Sequence, residues 1–325
     1  MDEQAPDRAP GPDRDHAPKH SHSPNRAPDH EQLAEHFEEH RGHLRAVAYR
    51  MLGSLSEAED AVQEGWLRAS RADSSAVENI GGWLTTIVGR VCLNMLRSRS
   101  ARHEAALDVG EYEHVHVPDP VLGRVDVLDP EQEALLTDSV GLALLVVLDT
   151  LAPAERLAFV LHDMFAVPFE DIAPIVDKTA AATRQLASRA RRRVQGQGPS
   201  PSADRGRQRE VVEAFISASR GGDFEALLAL LDPDVLLRAD AGLLPATKLV
   251  RGARAVAGQA YSFRKFASLS RTVLINGTPG IVSVVEGRVY SVMAFTLGEN
   301  GKITELNILA DPERTGTLDV SFLAL

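Results

Sequence analysis

Between Thr179 and Val194 the chain reads TAAATRQLASRARRRV, a helical stretch with five arginines and no acid. Thr179 has the side chain of an N-cap. Ala182, Leu186, Ala190 and Val194 recur on one face. Thr183, Arg184, Gln185, Ser188, Arg189, Arg192 and Arg193 are assigned to the other. Arg and Gln can read base edges through paired hydrogen bonds, and further Arg side chains neutralise phosphate. A short helix over Phe169–Val176 precedes it, with Ile172, Ala173 and Val176 inward and Asp177-Lys178 as the turn. Together they have the form of a DNA-reading helix-turn-helix. Pro174 stands inside the first helix, where it removes a backbone donor. A merely solvated basic face is the competing reading, and the lack of any acid from Arg184 to Arg193 weighs against it.

Other residues invite chemistry less strongly. His36-Phe37-Glu38-Glu39-His40 fits the H-x-x-E-H pattern of some zinc enzymes, but a zinc site needs a third ligand and a pocket. His16, His20, His22 and His30 lie in a polar tail. Asp240 and Tyr290 are the one pair near the C-terminus that could exchange protons, because no histidine follows His162. No cofactor or metal is expected.

These residues need elements to hold them. Residues 1–30 have almost no large apolar side chain and are expected to be disordered. Leu44, Val47, Ala48, Met51 and Leu52 recur at helical spacing, and Gly53-Ser54 ends that run. Ser56, with Glu59 three residues on, matches a capping box. Glu57, Asp60 and Glu64 then form an acidic stripe. After a turn at Asn79, Gly81 and Gly82, an apolar stripe runs from Trp83 to Leu96. The other face of that helix carries Thr86, Arg90, Asn94, Arg97, Arg99 and Arg102.

Residues 106–130 read as a proline-containing linker, residues 131–196 as a second helical domain, and 197–206 as another linker. The second domain is expected to hold helices at 131–148 and 151–163 before the two helices of the motif. From residue 207 the pattern changes to helices at 208–220 and 223–231, then five β-rich runs at 235–238, 271–275, 281–285, 289–297 and 303–309. Asn276-Gly277, Glu286-Gly287 and Asn300-Gly301 separate the later runs as turns. Two all-α domains followed by an α+β domain with a curled sheet is the expected architecture. The single cysteine, Cys92, excludes an internal disulfide and fits a reducing cytoplasm. No run is long enough to cross a membrane. The net charge of −11 describes the whole chain and not its local basic faces.

FEEHRGHLRAVAYRMLGSLSEAEDAVQEGWLRA and GGWLTTIVGRVCLNMLRSRSARHE closely resemble region two of the extracytoplasmic-function (ECF) sigma factors of RNA polymerase. LAPAERLAFVLHDMFAVPFEDIAPIVDKTAAATRQLASRARRRV resembles their region four. The C-terminal third resembles the SnoaL-like, cone-shaped domain carried by the sigma-J-like subgroup. The resemblance implies two partners, core RNA polymerase and promoter DNA. It implies that Glu57, Asp60, Gln63 and Glu64 meet the polymerase clamp. Thr86, Arg90, Asn94, Arg97 and Arg99 would meet the minus-ten element, with a flipped base held by the loop at 73–79. Thr183, Arg184, Gln185, Ser188, Arg189 and Arg192 would meet the minus-thirty-five element.

The subgroup usually carries a Trp-Leu-Pro-Glu-Pro element between its sigma domains. Here the corresponding stretch is His116-Val117-Pro118-Asp119-Pro120, without the Trp-Leu pair. Its Asn-Pro-Asp-type C-terminal motif is echoed by Leu309-Ala310-Asp311-Pro312-Glu313-Arg314. Pro118, Asp119, Pro120, Asp311 and Pro312 are therefore the expected regulatory contacts. The implied function is a sigma factor regulated in cis by its third domain, which could hold a small-molecule ligand. The alternative is a stand-alone helix-turn-helix regulator with a ligand-sensing or enzymatic SnoaL-like domain.

Overall fold

The computed structural model describes residues 26–75, 77–106, 115–124, 141–197, 205–242, 247–262 and 264–323. The tail to residue 25, residues 131–140 of the helix expected over 131–148 and most of both linkers lie outside them. The first domain is three helices, α1 (Arg26–Leu52), α2 (Leu55–Ala69) and α3 (Ile80–Ala106). α1 begins inside the segment expected to be disordered. Leu44, Val47, Met51, Ala61, Val62, Leu84, Val88 and Leu93 are buried between the three helices. The N-cap of α2 is Ser54, not Ser56: the Ser54 hydroxyl accepts from Glu57 N. Asn79 caps α3 through Gly82 N at 2.9 Å, so Gly81 and Gly82 form its first turn.

A short strand, β1 (Leu122–Gly123), lies in the linker. The second domain contains α4 (Leu142–Asp149), α5 (Pro153–Phe159), which continues as a π-turn over Val160–Met164, α6 (Phe169–Ile172) and α7 (Ala180–Gln197). α6 stops at Ile172, ahead of Pro174, so the proline kinks no helix. Asp177, with φ of 55°, makes the turn into α7.

The third domain opens with α8 (Arg205–Gly221) and α9 (Phe224–Leu230). Then come β2 (Leu231–Asp240), β3 (Lys248–Arg251), α10 (Ala253–Ser262) and α11 (Arg264–Ala267). The meander β4 (Ser270–Ile275), β5 (Thr278–Val285), β6 (Arg288–Leu297) and β7 (Ile303–Leu309) follows, closed by α12 (Pro312–Thr315). The sequence reading contains neither β3 nor α10. The sheet order is β1-β4-β5-β6-β7-β2-β3, and β2 with β7 is its parallel pair. Asn276 and Glu286 adopt positive φ ahead of glycines that do the same, so both hairpins close with left-handed residue pairs.

Successive strand residues point to opposite faces of a sheet, and this sheet uses both. One face, with Leu237, Ile281 and Leu306, packs on Val212, Phe215 and Val256 of the domain's own helices. The other face, with Val273, Ile275, Val282, Val292 and Leu309, joins the core of the two helical domains. β1 completes this joint: the linker becomes the edge strand beside β4, pairing Leu122 with Ile275 and Gly123 with Leu274. Among the described residues no helix is long and apolar enough to cross a membrane.

Candidate functional site

On α7, Thr183, Leu186, Ala187 and Ala190 are buried, while Arg184, Gln185, Ser188, Arg189, Arg192 and Arg193 are exposed. Thr183 is therefore removed from the reading face: its hydroxyl donates back to Thr179 O at 3.0 Å. Ala187 replaces Ala182 on the inward stripe, a shift of about one position around the helix. The arginines do have acidic partners, from other elements. Arg193 Nη1 lies 2.9 Å and Arg189 Nη1 3.6 Å from the Glu155 carboxylate, and Arg191 reaches Asp163 at 2.7 Å. Arg184 stands over the Phe169 ring at 5.0 Å and 3.9 Å from Glu170. Sequence spacing within α7 could not reveal carboxylates that lie on α5, α6 and the π-turn.

On α3, Arg90, Asn94 and Arg97 are exposed. Thr86 is half-buried, its hydroxyl donating to Trp83 O at 2.7 Å. Arg99 turns toward α2 and forms an ion pair with Glu57. Two residues expected at separate interfaces thus hold each other. Arg90 Nη2 approaches the carbonyl of Pro174 at 3.4 Å, so the basic face of α3 touches the helix-turn-helix.

A polar junction lies where the linker meets the first and third domains. Gly53, with φ of 71°, ends α1 in the left-handed conformation, and its carbonyl accepts from Asp119 N at 2.8 Å. Asp119 Oδ2 accepts from Leu55 N at 2.9 Å, and its carbonyl accepts from the Tyr49 hydroxyl. Burial pushes the Tyr49 phenol well above its ordinary range. Asn276 Nδ2 donates to that same hydroxyl at 3.0 Å, and the Asn276 backbone and side chain bracket Val121.

From the third domain, Asp311 caps α12 with Pro312 in its first turn. This presents Arg314, whose guanidinium donates to Asp119 Oδ1 (Nε, 2.7 Å), Asp240 Oδ2 (2.8 Å) and Val117 O (2.6 Å). Asp240 Oδ2 also accepts from Val117 N at 2.9 Å, and Gly242 N donates to Oδ1 at 3.1 Å. Burial works to raise the Asp240 carboxyl. The hydrogen bonds from His116, Val117 and Gly242 and the Arg314 charge prevail and bring it down to about 2. Gly242 has φ of 63°, and a Cβ there would come within 2.5 Å of Asp311 Oδ2, so glycine lets the loop pass the cap.

Asp119 and Arg314 thus meet, while Asp311 and Pro312 set the helix that carries Arg314. Pro118 and Pro120 are buried beside them. Sequence reasoning missed Asp240, Asn276 and Tyr49 as members of this junction. Arg314 figures there only as the last residue of the echoed motif and not as a contact.

The Sigma-70 region 2 family matches residues 36–102 and the Sigma-70, region 4 family residues 141–194. The ECF RNA polymerase sigma factor SigJ of Mycobacterium tuberculosis is 37% identical over 294 residues, 86% of this chain and 91% of that protein. The probable ECF RNA polymerase sigma factor SigI of the same organism is 36% identical over 296 residues, 89% of this chain and 96% of its own. The chain belongs to the ECF sigma factors. The crystal structure of SigJ superposes with a TM-score of 0.69 at 33% identity, covering 88% of this chain and all of that one.

In this sigma factor the outward face of α2 presents Asp60, Gln63 and Leu67. Glu64 is paired with Arg68 at 2.8 Å. Glu57 is drawn from that face by Arg99. Cys92 is buried, which pushes its thiol up to about 12 and leaves it unreactive. His36 and His40 lie on α1, with His36 Nδ1 3.2 Å from Glu39 and the His40 ring against Gly81. Among the described residues no three metal-ligating side chains converge. The pair considered for proton transfer is not assembled. Asp240 faces the linker, whereas Tyr290 lines a cavity on the other side of the sheet.

Proposed function

We propose that this sigma factor binds core RNA polymerase through α2, reads the minus-ten element with α3 and the minus-thirty-five element with α7, and is held closed by its own C-terminal domain. Asp60, Gln63 and Glu64 carry the docking. Arg90, Asn94 and Arg97 face the melted element, and Arg184, Gln185, Ser188, Arg189 and Arg192 face the duplex. The chain breaks no bond of its own, and the separation of Asp240 from Tyr290 supports this.

The contact of Arg90 with Pro174 at 3.4 Å carries the closed-state reading. The two promoter elements are separated by roughly 25 base pairs, about 85 Å of duplex. Helices in mutual contact cannot span that distance, so regions two and four separate before both elements are read. The junction around Arg314 ties region two and the linker to the third domain, whose sheet face toward the sigma domains also shares a core with region four, and both oppose that separation. It acts as a linked equilibrium: core polymerase and promoter favour the open form, and the junction favours the closed one.

The test is run-off transcription from a promoter library by core enzyme with the full chain, with residues 1–204, and with Arg314→Ala. Loss of the third domain or of Arg314 is expected to change yield and core affinity in the same direction. Identical yields and affinities for all three chains would refute regulation in cis. Specific binding of free promoter duplex by the full chain alone, without core, would favour a stand-alone regulator.

A further inference from the structure

The third domain encloses a cavity of about 150 Å³ between its helices and the sheet face that looks away from the sigma domains. Its walls include Phe215, Leu237, Ile281, Met293 and Leu306. Among the described residues the lining contains one cation, Lys248, and no carboxylate or histidine. Lys248 Nζ donates to Gln259 Oε1 at 2.6 Å, and both are half-buried. Ser270 and Ser283 satisfy each other at 2.9 Å, but Ser219, also in the lining, is buried with its hydroxyl lacking a partner. A buried hydroxyl without a partner is costly, which marks a place for a ligand or water to bond.

We propose that this cavity is a sensor site for a small monocarboxylate with one ring or a short chain, its carboxylate beside Lys248 and its apolar body on the sheet. A cavity of this volume admits a single ring. Lys248, the one charged side chain among the described lining residues, favours a monoanion over a neutral or cationic isostere.

The readout is built into the strands. Leu237, Ala239 and Ala241 of the β2 segment face the cavity, and Asp240 between them points the other way, onto Val117 and Arg314. Ile308 and Ala310 likewise line the cavity one step before Asp311, the cap of α12. A ligand that shifts the ends of β2 and β7 therefore shifts the groups that anchor the linker. This coupling rests on the cis regulation proposed above; the binding site does not.

The test uses the full chain with benzoate, toluene and benzylamine, measured by ligand-observed NMR and calorimetry. Benzoate is expected to bind more tightly than benzylamine. Lys248→Met should weaken benzoate about tenfold or more, while toluene changes less than about twofold. Ser219→Leu removes no hydrogen bond and fills the space, so it should abolish binding of both in a chain that is still folded by circular dichroism. Benzoate and benzylamine binding equally, benzoate unaffected by Lys248→Met, or full binding to folded Ser219→Leu would each overturn the site. Saturating benzoate should also alter hydrogen exchange at the Val117 amide. Binding with no change there would overturn the coupling alone, and the truncated chain tests the regulatory reading separately.

Discussion

Arginine–carboxylate pairs occur in two settings in this sigma factor. At the linker junction, Arg314 is about a fifth exposed and its partners Asp119 and Asp240 are 12% and 6% exposed at the side chain. On α7, Arg189 and Arg193 are more than half exposed, though they share the buried Glu155. A buried charge that loses its partner has no water to replace it, whereas an exposed one exchanges partners at little cost. The junction pairs are therefore suited to fixing a conformation, and the α7 pairs to being given up when phosphate arrives.

The largest effect should come from the junction. Arg314→Ala leaves two carboxylates buried without their cation, and about 3 kcal/mol of local stability should be lost. Hydrogen exchange at Leu55, Val117 and Asp119 measures it. Protection unchanged from the parent would erase the distinction between the two settings.

Acid should act on the same place. The Asp240 carboxyl is held at about 2 in the folded chain against 3.8 ordinarily. Its contribution, about 2 kcal/mol, is complete above pH 4 and is lost as pH falls from about 4 through about 2. Denaturation of the parent and of Asp240→Asn should show a stability difference that shrinks across that window. A difference that stays constant down to pH 2 contradicts the assignment.

Arg192→Ala should leave stability within about 0.5 kcal/mol and lower the salt slope of promoter binding by the complex with core enzyme by about one. A slope equal to the parent's would remove Arg192 from the phosphate contacts. The smallest effect is expected from Glu155→Gln, which frees Arg189 and Arg193. Promoter binding by the complex with core enzyme should tighten by about two- to fivefold at low salt, measured by fluorescence anisotropy. Weaker binding would mean that Glu155 orients these arginines and does not compete for them.

Much of the fold was legible because it rests on local periodicity. The apolar stripes of α1 and α3, the α7 basic face and the later strands with their Asn-Gly and Glu-Gly turns all follow from spacing. The errors were local too. Ser54 and Ser56 offer the same chemistry two residues apart, and the chain geometry after Gly53 selects Ser54. Thr183 is polar in type, yet a one-position rotation of α7 places it in the core. β3 is four residues long and carries too short a pattern to read.

The sequence by itself determined the main helices of the two sigma domains, which faces are basic or acidic, and the family to which those segments belong. Helical and strand periods depend on neighbours only a few positions away. The tertiary structure alone decided which charges find partners: Asp119 with Arg314 across 195 positions, Glu155 with Arg193 across 38, Arg99 with Glu57 across 42. It also decided that one sheet face belongs to a cavity and the other to the sigma domains. Such pairings depend on how elements pack, and no local pattern encodes the distance between residues so far apart.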